Sequence, residues 1–548
     1  MPPRWPVFAA GMLQIAAART ISAAPPSAVH APMMCDGTAP AFALDDAEGA
    51  WPGWSPDGSN RRLQSVGAGL SATDVPKLAL KWAFSLGGVA NARAHPTVAG
   101  GWVFVANETG DVWALDAKTG CTHWSYRAPS TVRSGIAVGS ADGRPMAYFG
   151  DLTGQVYALD AITGALRWNV RVDDHRAAII TATPALSDGV LYVTVSSYEE
   201  LLAGQPTYAC CTFRGSVVAL KAVDGTRVWK TFTITAPPAP TGVNSAGILR
   251  NGPSGAAIWS SPTLDDHQHA LYVATGDNYS DPASETSDAI VSLDMKTGRI
   301  RWSRQFTTND ATNVSCATPG KVNCPTDKGP DYDFGQPPIL VSLGDGKRAL
   351  VIGQKSGMVH AVDPDHDGTI LWQTRAGPGG TFGGSQWGSA ADDSTMYVAL
   401  SGLAISGVRD STSPAGLRLA PDPTKGGGLT ALRVRDGSIV WQAAPVPCGA
   451  VSPCSPAQSA ALSMIPGVIF SGSVDGHLRA YSARDGAIIW DANTATAQHT
   501  VDGTTAHGGS LDAGGAVIAD GMVFIKSGYA QWGGMPGNVL LAYSVDGQ

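Results

Sequence analysis

The stretch "GWVFVANETGDVWALDAKTGCTHW", residues 101–124, contains the unit from which this chain is built. Apolar and polar residues alternate in three short runs separated by turns, which is the pattern of three consecutive β-strands. The Thr-Gly pair supplies the residue with positive φ that a tight hairpin needs. The final Trp124 is a large apolar body that can pack between neighbouring sheets. The stretch therefore predicts a small antiparallel sheet.

The second half of this unit recurs along the chain. The further copies are "ALDAITGALRW" (158–168), "ALKAVDGTRVW" (219–229), "SLDMKTGRIRW" (292–302), "AVDPDHDGTILW" (361–372), "ALRVRDGSIVW" (431–441) and "AYSARDGAIIW" (480–490). An eighth copy, "LLAYSVDGQ" (540–548), stops at the turn, and "LALKWAFSL" (78–86) is a Trp strand with no partner before it. These halves complete one unit and close a ring without free sheet edges. We therefore predict an all-β fold, an eight-bladed β-propeller with four-stranded antiparallel blades, closed by the N- and C-terminal strands. An open solenoid is the alternative, but it would need end caps.

The N-terminus has the pattern of an export signal. Arg4 supplies a positive charge, an apolar stretch runs from Trp5 to Ala18, and small residues follow in "ISAA" (21–24). We predict a signal peptide over residues 1–24, a flexible segment over 25–45 and one propeller domain over 46–548. The protein is then periplasmic or secreted; a disordered leader is the alternative.

Charge and motifs exclude several classes of function. The net charge of −8 argues against nucleic acid or an anionic lipid surface as a partner. No membrane span is expected, because no long apolar run follows the N-terminal one. No HExxH, P-loop or dinucleotide fingerprint occurs. "DPDHDG" (363–368) resembles a calcium loop, but Thr374 stands where such loops carry Glu, so we interpret it as a lengthened hairpin turn.

The eight cysteines are an even number, as an oxidising compartment favours. Short loop staples are suggested by two spacings, Cys316 with Cys324 and Cys448 with Cys454. If Cys35 pairs with Cys121, the adjacent Cys210 and Cys211 are left with each other; otherwise each pairs elsewhere or stays a thiol. None lies in CxxC or CxxCH, so the sequence carries no covalent haem motif.

The repeat and its long insertions resemble those of the quinoprotein alcohol dehydrogenases, which use pyrroloquinoline quinone (PQQ), and among them most closely the polyvinyl alcohol dehydrogenases. The resemblance covers about residues 50–548. The stretches that carry it are "WPGWSPDGSNRRLQ" (51–64), "CCTFRGSVVAL" (210–220), "WSSPTLD" (259–265), "YVATGDNYSDP" (272–282), "GPDYDFGQPPIL" (329–340) and "GQKSGMVHAVDPDHDG" (353–368). Some members carry haem in the same chain; this chain lacks CxxCH, so the resemblance implies a separate cytochrome c as electron acceptor.

The resemblance also implies a Ca²⁺ ion bound by carboxylate and amide oxygens. The family's ligands are one Glu, one Asn or Asp, and one Asp from three successive blades. Matched motif by motif, the Glu falls at Glu199 or Glu200 in "SSYEELL" and the second ligand at Asp277 or Asn278 in "TGDNY". The third ligand falls at Asp333 in "DYDFG", which also resembles the family's catalytic base.

The same resemblance implies residues that hold PQQ. Trp259 resembles the tryptophan that stacks under the ring, and Lys355 the cation that stabilises charge on the quinone oxygens during hydride transfer. Arg133 and Thr181 resemble contacts to the cofactor's carboxylates and carbonyls, and Trp387 matches another motif of the site.

Adjacent cysteines close a tight ring, and in related quinoproteins such a ring lies flat against the cofactor, opposite the tryptophan. The resemblance assigns this role to Cys210 and Cys211. The function implied is oxidation of secondary hydroxyls of polyvinyl alcohol, or of a similar alcohol, to ketones. Two alternatives remain: a PQQ dehydrogenase for a small alcohol, and a noncatalytic propeller scaffold, in which these residues would not converge.

Overall fold

The chain folds into eight four-stranded antiparallel sheets arranged in a ring, as predicted. The structure, a computed structural model, describes residues 33–37, 42, 44, 49–65, 67–410, 417–449 and 452–548. The predicted signal peptide (1–24) and most of the predicted flexible segment (25–45) lie outside these residues. No helix of the described residues is long and apolar enough to span a membrane.

The sheets are numbered as blades in chain order. Blade 1 comprises the strands Thr97–Ala99, Trp102–Ala106, Asp111–Asp116 and Thr122–Arg127, and blade 2 comprises Ala137–Ala141, Arg144–Gly150, Gln155–Asp160 and Leu166–Arg171. Blade 3 comprises Ala185–Ser187, Val190–Ser197, Ser216–Lys221 and Arg227–Phe232, and the short strand Ala178–Ile179 also pairs with Val190–Ser197. Blade 4 comprises Thr263–Asp265, Ala270–Ala274, Ala289–Asp294 and Ile300–Gln305. Blades 5 to 7 comprise Ile339–Gly344, Lys347–Gly353, Met358–Asp363 and Thr369–Arg375; Ala390–Ala391, Thr395–Ala399, Leu429–Arg433 and Ile439–Ala443; and Ser463–Ile465, Val468–Gly472, His477–Ser482 and Ile488–Asn493.

Blade 8 closes the ring. It combines Val517–Ala519, Met522–Ser527 and Val539–Val545 with the N-terminal strand Leu78–Ser85. The first and last strands run antiparallel, with Leu78 opposite Val545 and Ser85 opposite Val539. The two incomplete copies of the repeat therefore form one blade, and the described strands of the ring leave no gap between the chain's two ends.

The repeated Trp and Gly form the joints between blades. The indole N–H of seven of the eight wedge tryptophans donates a hydrogen bond of 2.8–3.0 Å to a carbonyl of the next blade, at Trp82, Trp124, Trp168, Trp229, Trp372, Trp441 and Trp490. The same ring covers the turn glycine of that next blade: a Cβ at Gly120 would lie 2.9 Å from Trp82. Gly120 also has φ +74°, so both backbone conformation and space require glycine here.

Several insertions interrupt the ring. Four are hairpins or paired strands, Ala239–Val243 with Leu249–Gly252, Ser254–Gly255 with Asn278–Ser280, Ile405–Arg409 with Leu417–Pro421, and Ala497–His499 with Thr505–His507. Blade 3 carries a short helix, Glu199–Leu202, and single 3₁₀ turns cover Val75–Lys77 and Val314–Ala317. These loops, and not the repeats, supply most of the site described below.

All eight cysteines form disulfides. The pairs are Cys35–Cys121, Cys210–Cys211, Cys316–Cys324 and Cys448–Cys454. The two short staples and the adjacent pair are thus confirmed, which resolves the connectivity that the sequence left open.

Lys526 is a buried lysine of blade 8 whose titration should be visible in the protein's stability. Its Nζ donates a hydrogen bond to the carbonyl of Ala106, and burial lowers its pKa from 10.5 to about 7, against the charge of Glu108. Between these two values the unfolded chain binds the extra proton, so the free energy of unfolding rises with pH. We expect a rise of about 2 kcal/mol between pH 7 and pH 9.

Urea unfolding at constant ionic strength measures this rise. Lys526→Met should remove most of it, whereas Lys347→Met, the same substitution at an exposed lysine, should leave it unchanged. If the free energy of unfolding rises equally with pH in the Lys526 variant and the wild type, another group is responsible for the rise.

Candidate active site

Three buried carboxylates meet between blades 4 and 5. Asp277 follows the strand Ala270–Ala274, and Asp331 and Asp333 lie in the insertion that precedes blade 5. One oxygen of each lies within 4.8 Å of the others. The backbone N–H of Asp277 donates a 2.7 Å hydrogen bond to Oδ1 of Asp333. Like charges buried this closely are unstable without a cation, so the arrangement is suited to binding one.

Lys355 supplies one positive charge to this cluster. Its Nζ lies 2.8 Å from Oδ1 of Asp331 and 2.7 Å from Oδ2 of Asp333. Burial alone would lower the pKa of Lys355, but the charges and hydrogen bonds of the two aspartates raise it well above its ordinary value. The lysine is therefore a permanent cation, and it joins the two acids that flank it.

Asp277 has an oxygen that nothing in the described structure satisfies. Its Oδ2 is buried and accepts no hydrogen bond. Burial, followed by the charges of Asp333 and Asp331, raises the pKa of Asp277 well above its ordinary value. A buried acceptor without a donor is costly, and a cation on this oxygen would remove that cost.

Asn278, the other residue predicted for this ligand position, does not reach the cluster. Its Nδ2 donates to Oγ of Ser287 at 2.7 Å and to the carbonyl of Asp310 at 2.8 Å. Its Oδ1 accepts from the backbone N–H of Ser284 at 2.9 Å. The whole amide is used to bond its own loop and the insertion that contains Asp310, so Asp277 is the residue of the pair that the structure brings to the carboxylates.

Glu199 is also held away from the cluster. Its carboxylate accepts hydrogen bonds from the hydroxyl of Tyr208 and from the backbone N–H groups of Thr212 and Phe213. Burial opposes ionisation, but these bonds and the neighbouring His175 lower the pKa of Glu199 below its ordinary value.

Glu200, the alternative register, is the glutamate whose charge acts on the cluster. Burial and the charge of Asp333 raise the pKa of Glu200 to about 7, while Lys355 opposes the shift. The charge of Glu200 also helps to raise the pKa of Asp277. Glu200 thus interacts electrostatically with Asp333 and Asp277, whereas the carboxylate of Glu199 is occupied by hydrogen bonds from Tyr208, Thr212 and Phe213.

Four other predicted residues line one cavity near the axis of the ring: Arg133, Thr181, Trp259 and Trp387. Trp259 and Trp387 meet edge to face with centroids 5.3 Å apart, and the guanidinium of Arg133 lies 5.4 Å from the centroid of Trp387. Thr181 Oγ1 donates to the carbonyl of Trp259 at 3.4 Å. The cavity therefore combines flat aromatic surfaces with a cation.

Trp259 links this cavity to the carboxylates. The Nζ of Lys355 lies 5.5 Å from the centroid of the Trp259 ring. A Cβ added to Gly276 would contact both Oδ1 of Asp333 and Nε1 of Trp259, at 2.8 and 3.5 Å. The tryptophan, the lysine and the acids are therefore parts of one site.

The Cys210–Cys211 disulfide is buried in blade 3, in an apolar cluster that includes Phe213 and Tyr279. Its backbone pairs with Asn251, whose N–H donates to the carbonyl of Cys210 at 2.7 Å and whose carbonyl accepts from Cys211 at 3.1 Å. Burial, followed by the charges of Glu200 and Asp277, raises the pKa of Tyr279 well above its ordinary value. The disulfide thus lies on the blade 3 side of the acids and does not line the axial cavity.

An aromatic pair lies in loops near the backbone of Lys355. Phe382 and Trp532, both partly exposed, have ring centroids 4.8 Å apart. The loop of Phe382 is bonded directly to the lysine's backbone, because Gly380 N–H donates to the carbonyl of Lys355 at 3.1 Å. Loops of blades 5 and 8 therefore form a joint apolar surface beside the site.

Two residues of the site were missed or left open by sequence reasoning. Asp331 stands two positions before Asp333 in "DYDFG". That spacing was the available signal. Arg93, the second arginine lining the cavity, lies outside every motif considered, and only the fold brings it to Arg133.

Comparison with protein families gives two matches. The family model described as "Glucose/ethanol/alcohol dehydrogenase, beta-propeller domain", of the PQQ type, matches residues 51–379. A second model, described as "Outer membrane protein assembly factor BamB", matches residues 419–545. The first match covers more than half of the chain and includes every site residue named above up to Lys355.

Similar proteins agree with this assignment. The polyvinylalcohol dehydrogenase of a Pseudomonas species is 41% identical over 94% of this chain and 80% of that protein. That of Sphingopyxis sp. (strain 113P3) is 39% identical over 92% of this chain and 77% of that protein. The solved quinohemoprotein alcohol dehydrogenase ADHIIG from Pseudomonas putida HK5 shares the fold, with a TM-score of 0.69 and 19% identity over 94% of this chain and 83% of that one. The chain belongs to the PQQ-dependent quinoprotein alcohol dehydrogenases and, within them, to the polyvinyl alcohol dehydrogenases.

Proposed function

We propose that this enzyme oxidises secondary hydroxyls of polyvinyl alcohol, or of a similar alcohol, to ketones, outside the cytoplasm, and that a separate cytochrome c receives the electrons. The observation that carries the proposal is the buried group of Asp277, Asp331 and Asp333 beside Lys355 and Trp259. The proposed substrate is supported by the similarity to the two polyvinylalcohol dehydrogenases named above. The four disulfides support an oxidising compartment.

The residues present fit a calcium ion. Ca²⁺ takes several hard oxygen ligands, and the cluster offers carboxylate oxygens from Asp277, Asp331 and Asp333. The unsatisfied Oδ2 of Asp277 is a ligand position of this kind. We propose these three aspartates and Glu200 as the ligands, which replaces Glu199 and Asn278 of the sequence prediction.

The site also fits a planar quinone that carries carboxylates. Trp259 offers a flat surface, Arg133 a planar cation for a carboxylate, and Thr181 a hydroxyl. Lys355 adds a positive charge close to the Trp259 ring. We propose Trp387 as a further wall of this pocket. The Cys210–Cys211 disulfide lies outside the residues that line it, so the contact with the cofactor that the family resemblance implies is not part of this proposal.

When bound, PQQ supplies the two-electron acceptor and Ca²⁺ the Lewis acid. The chain's own residues handle the proton. Asp333 is the proposed base: it accepts hydrogen bonds from Asp277 N–H and from Lys355, and an ionised carboxylate retains further lone pairs for an alcohol O–H. Lys355 keeps positive charge beside the reacting groups and stabilises negative charge that develops there.

The scaffold alternative predicts acids that do not converge, whereas the structure brings three of them within 4.8 Å. The small-alcohol alternative differs only in substrate, so activity assays must separate it from the proposal. The purified protein, freed of cofactor and metal, should reduce a dye with polyvinyl alcohol only when PQQ and Ca²⁺ are both added. A panel of short secondary alcohols measured alongside ranks the substrates, and a c-type cytochrome in place of the dye tests the acceptor. Absence of turnover together with absence of PQQ binding would refute the proposal.

The aromatic pair should distinguish polymer from small alcohol. A polymer chain extends beyond the reacting hydroxyl and can lie with its CH₂ groups on Phe382 and Trp532, whereas a short alcohol cannot. We expect the double change Phe382→Ala and Trp532→Ala to lower kcat/KM for polyvinyl alcohol about tenfold and to leave kcat/KM for 2-butanol nearly unchanged.

The control is Ile162→Ala, an exposed apolar residue in the outer turn of blade 2. It should affect neither substrate. Equal losses for both substrates in the double variant would show that the pair supports the site's structure and does not select the polymer.

A further inference from the structure

Glu199 is a fully buried carboxylate that binds both sides of the Cys210–Cys211 disulfide. On the N-terminal side its Oε1 accepts from the hydroxyl of Tyr208 at 2.9 Å. On the C-terminal side, Thr212 N–H lies 2.9 Å from each carboxylate oxygen, and Phe213 N–H donates to Oε2 at 2.6 Å. One side chain therefore anchors the residues immediately around the disulfide.

His175 completes the anchor. Its Nε2 lies 3.5 Å from Oε1 of Glu199 and 3.0 Å from Oγ1 of Thr212. The other edge of the disulfide is held by its backbone pairing with Asn251. The disulfide is thus fixed from two directions, and Glu199 contacts the flanking residues on both of its sides.

This bonding leaves Glu199 unsuited to bind a cation. Hydrogen bonds from N–H groups to a buried carboxylate are strong, and a metal would have to compete with three donors for the same oxygens. Glu200, the next residue of the helix Glu199–Leu202, takes no part in these hydrogen bonds to the residues beside the disulfide. It is therefore the glutamate of this pair that we assign to the metal.

We propose that Glu199 is a positioning residue that fixes the Cys210–Cys211 disulfide to the short helix carrying Glu200. This inference rests on the proposed function, because it assigns Glu200 to the metal. Any displacement of the helix Glu199–Leu202 then moves the disulfide and the proposed metal ligand Glu200 together.

Two matched variants of the full-length protein, Glu199→Gln and Glu200→Gln, test the proposal. An amide at position 199 keeps the size of the side chain but turns an NH₂ group toward backbone N–H groups that need an acceptor. We expect Glu199→Gln to accelerate reduction of Cys210–Cys211 by dithiothreitol about tenfold, with the affinity for Ca²⁺ nearly unchanged. Glu200→Gln should lower the Ca²⁺ affinity at least about tenfold and leave the reduction rate unchanged.

Reduction is followed by trapping thiols under native conditions and measuring the labelled peptides by mass spectrometry, and Ca²⁺ binding by calorimetry. The reference is the Cys448–Cys454 disulfide in the same molecules, whose reduction should not change; general destabilisation would accelerate both. Tyr208→Phe removes a single bond and should show a smaller acceleration in the same direction. The proposal is overturned if Glu199→Gln weakens Ca²⁺ binding and leaves the Cys210–Cys211 rate at its wild-type value, or if both disulfides accelerate equally.

A wild-type protein that binds no Ca²⁺ would count against the proposed function. The disulfide measurement requires neither metal nor cofactor, so it would still decide the role of Glu199.

Discussion

Asp333→Asn should lower kcat by a factor of about 10² to 10⁴, the range that loss of a general base produces. The amide has nearly the same shape, but it cannot accept the alcohol proton. It also loses the ion pair with Lys355, whose Nζ lies 2.7 Å from Oδ2. Steady-state dye reduction at saturating PQQ, Ca²⁺ and alcohol measures kcat free of any loss in cofactor or metal affinity.

The comparison variant is Asp331→Asn. Asp331 shares Lys355 with Asp333 and belongs to the same cluster, but the proposal gives it only a role in holding the metal. At saturating Ca²⁺ its kcat should therefore fall much less. If Asp331→Asn abolishes turnover and Asp333→Asn retains it, the base is Asp331, and the assignment made from the motif is wrong by two residues.

Lys355→Met should destabilise the metal-free protein by about 3–5 kcal/mol, the typical cost of removing one partner from a buried ion pair. The methionine fills a similar volume, but Asp331 and Asp333 lose their nearest cation while Asp277 remains beside them. Thermal unfolding of the metal-free protein measures the loss. Added Ca²⁺ should raise the unfolding temperature more in the variant than in the wild type, because the ion then supplies the missing charge.

Lys347→Met provides the control, since Lys347 is exposed in the same blade. It should unfold as the wild type does, with and without Ca²⁺. A Lys355 variant that is as stable as the wild type without metal would mean that the buried acids are already neutral, and the site would then have little tendency to bind a cation.

The architecture was predictable because it depends on a repeated local pattern. In seven of the joints a turn glycine lies under the wedge tryptophan of the neighbouring blade, as Gly120 lies under Trp82, so a copy in the sequence corresponds to a joint in the structure. The split eighth copy identified the closing strands for the same reason.

The site was predictable only to within one residue. Glu199 and Glu200 are neighbours on a short helix, where successive side chains point about 100° apart, so the motif could not show which one faces the acids. Asp277 and Asn278 differ in the same way at the start of a strand, where successive side chains point to opposite faces. In both cases the decision depends on contacts with loops distant in sequence, such as Thr212 for Glu199.

The closure of blade 8 by two strands that lie far apart in the sequence has a consequence for folding. Leu78–Ser85 precedes blades 1 to 7 and its partner Val539–Val545 follows them, so these blades can form while the ring still has two open edges. Unpaired edges invite pairing with other chains until the two strands meet. The chain with an open ring is therefore the aggregation-prone form of this protein, and pairing of these two strands is the step that protects it.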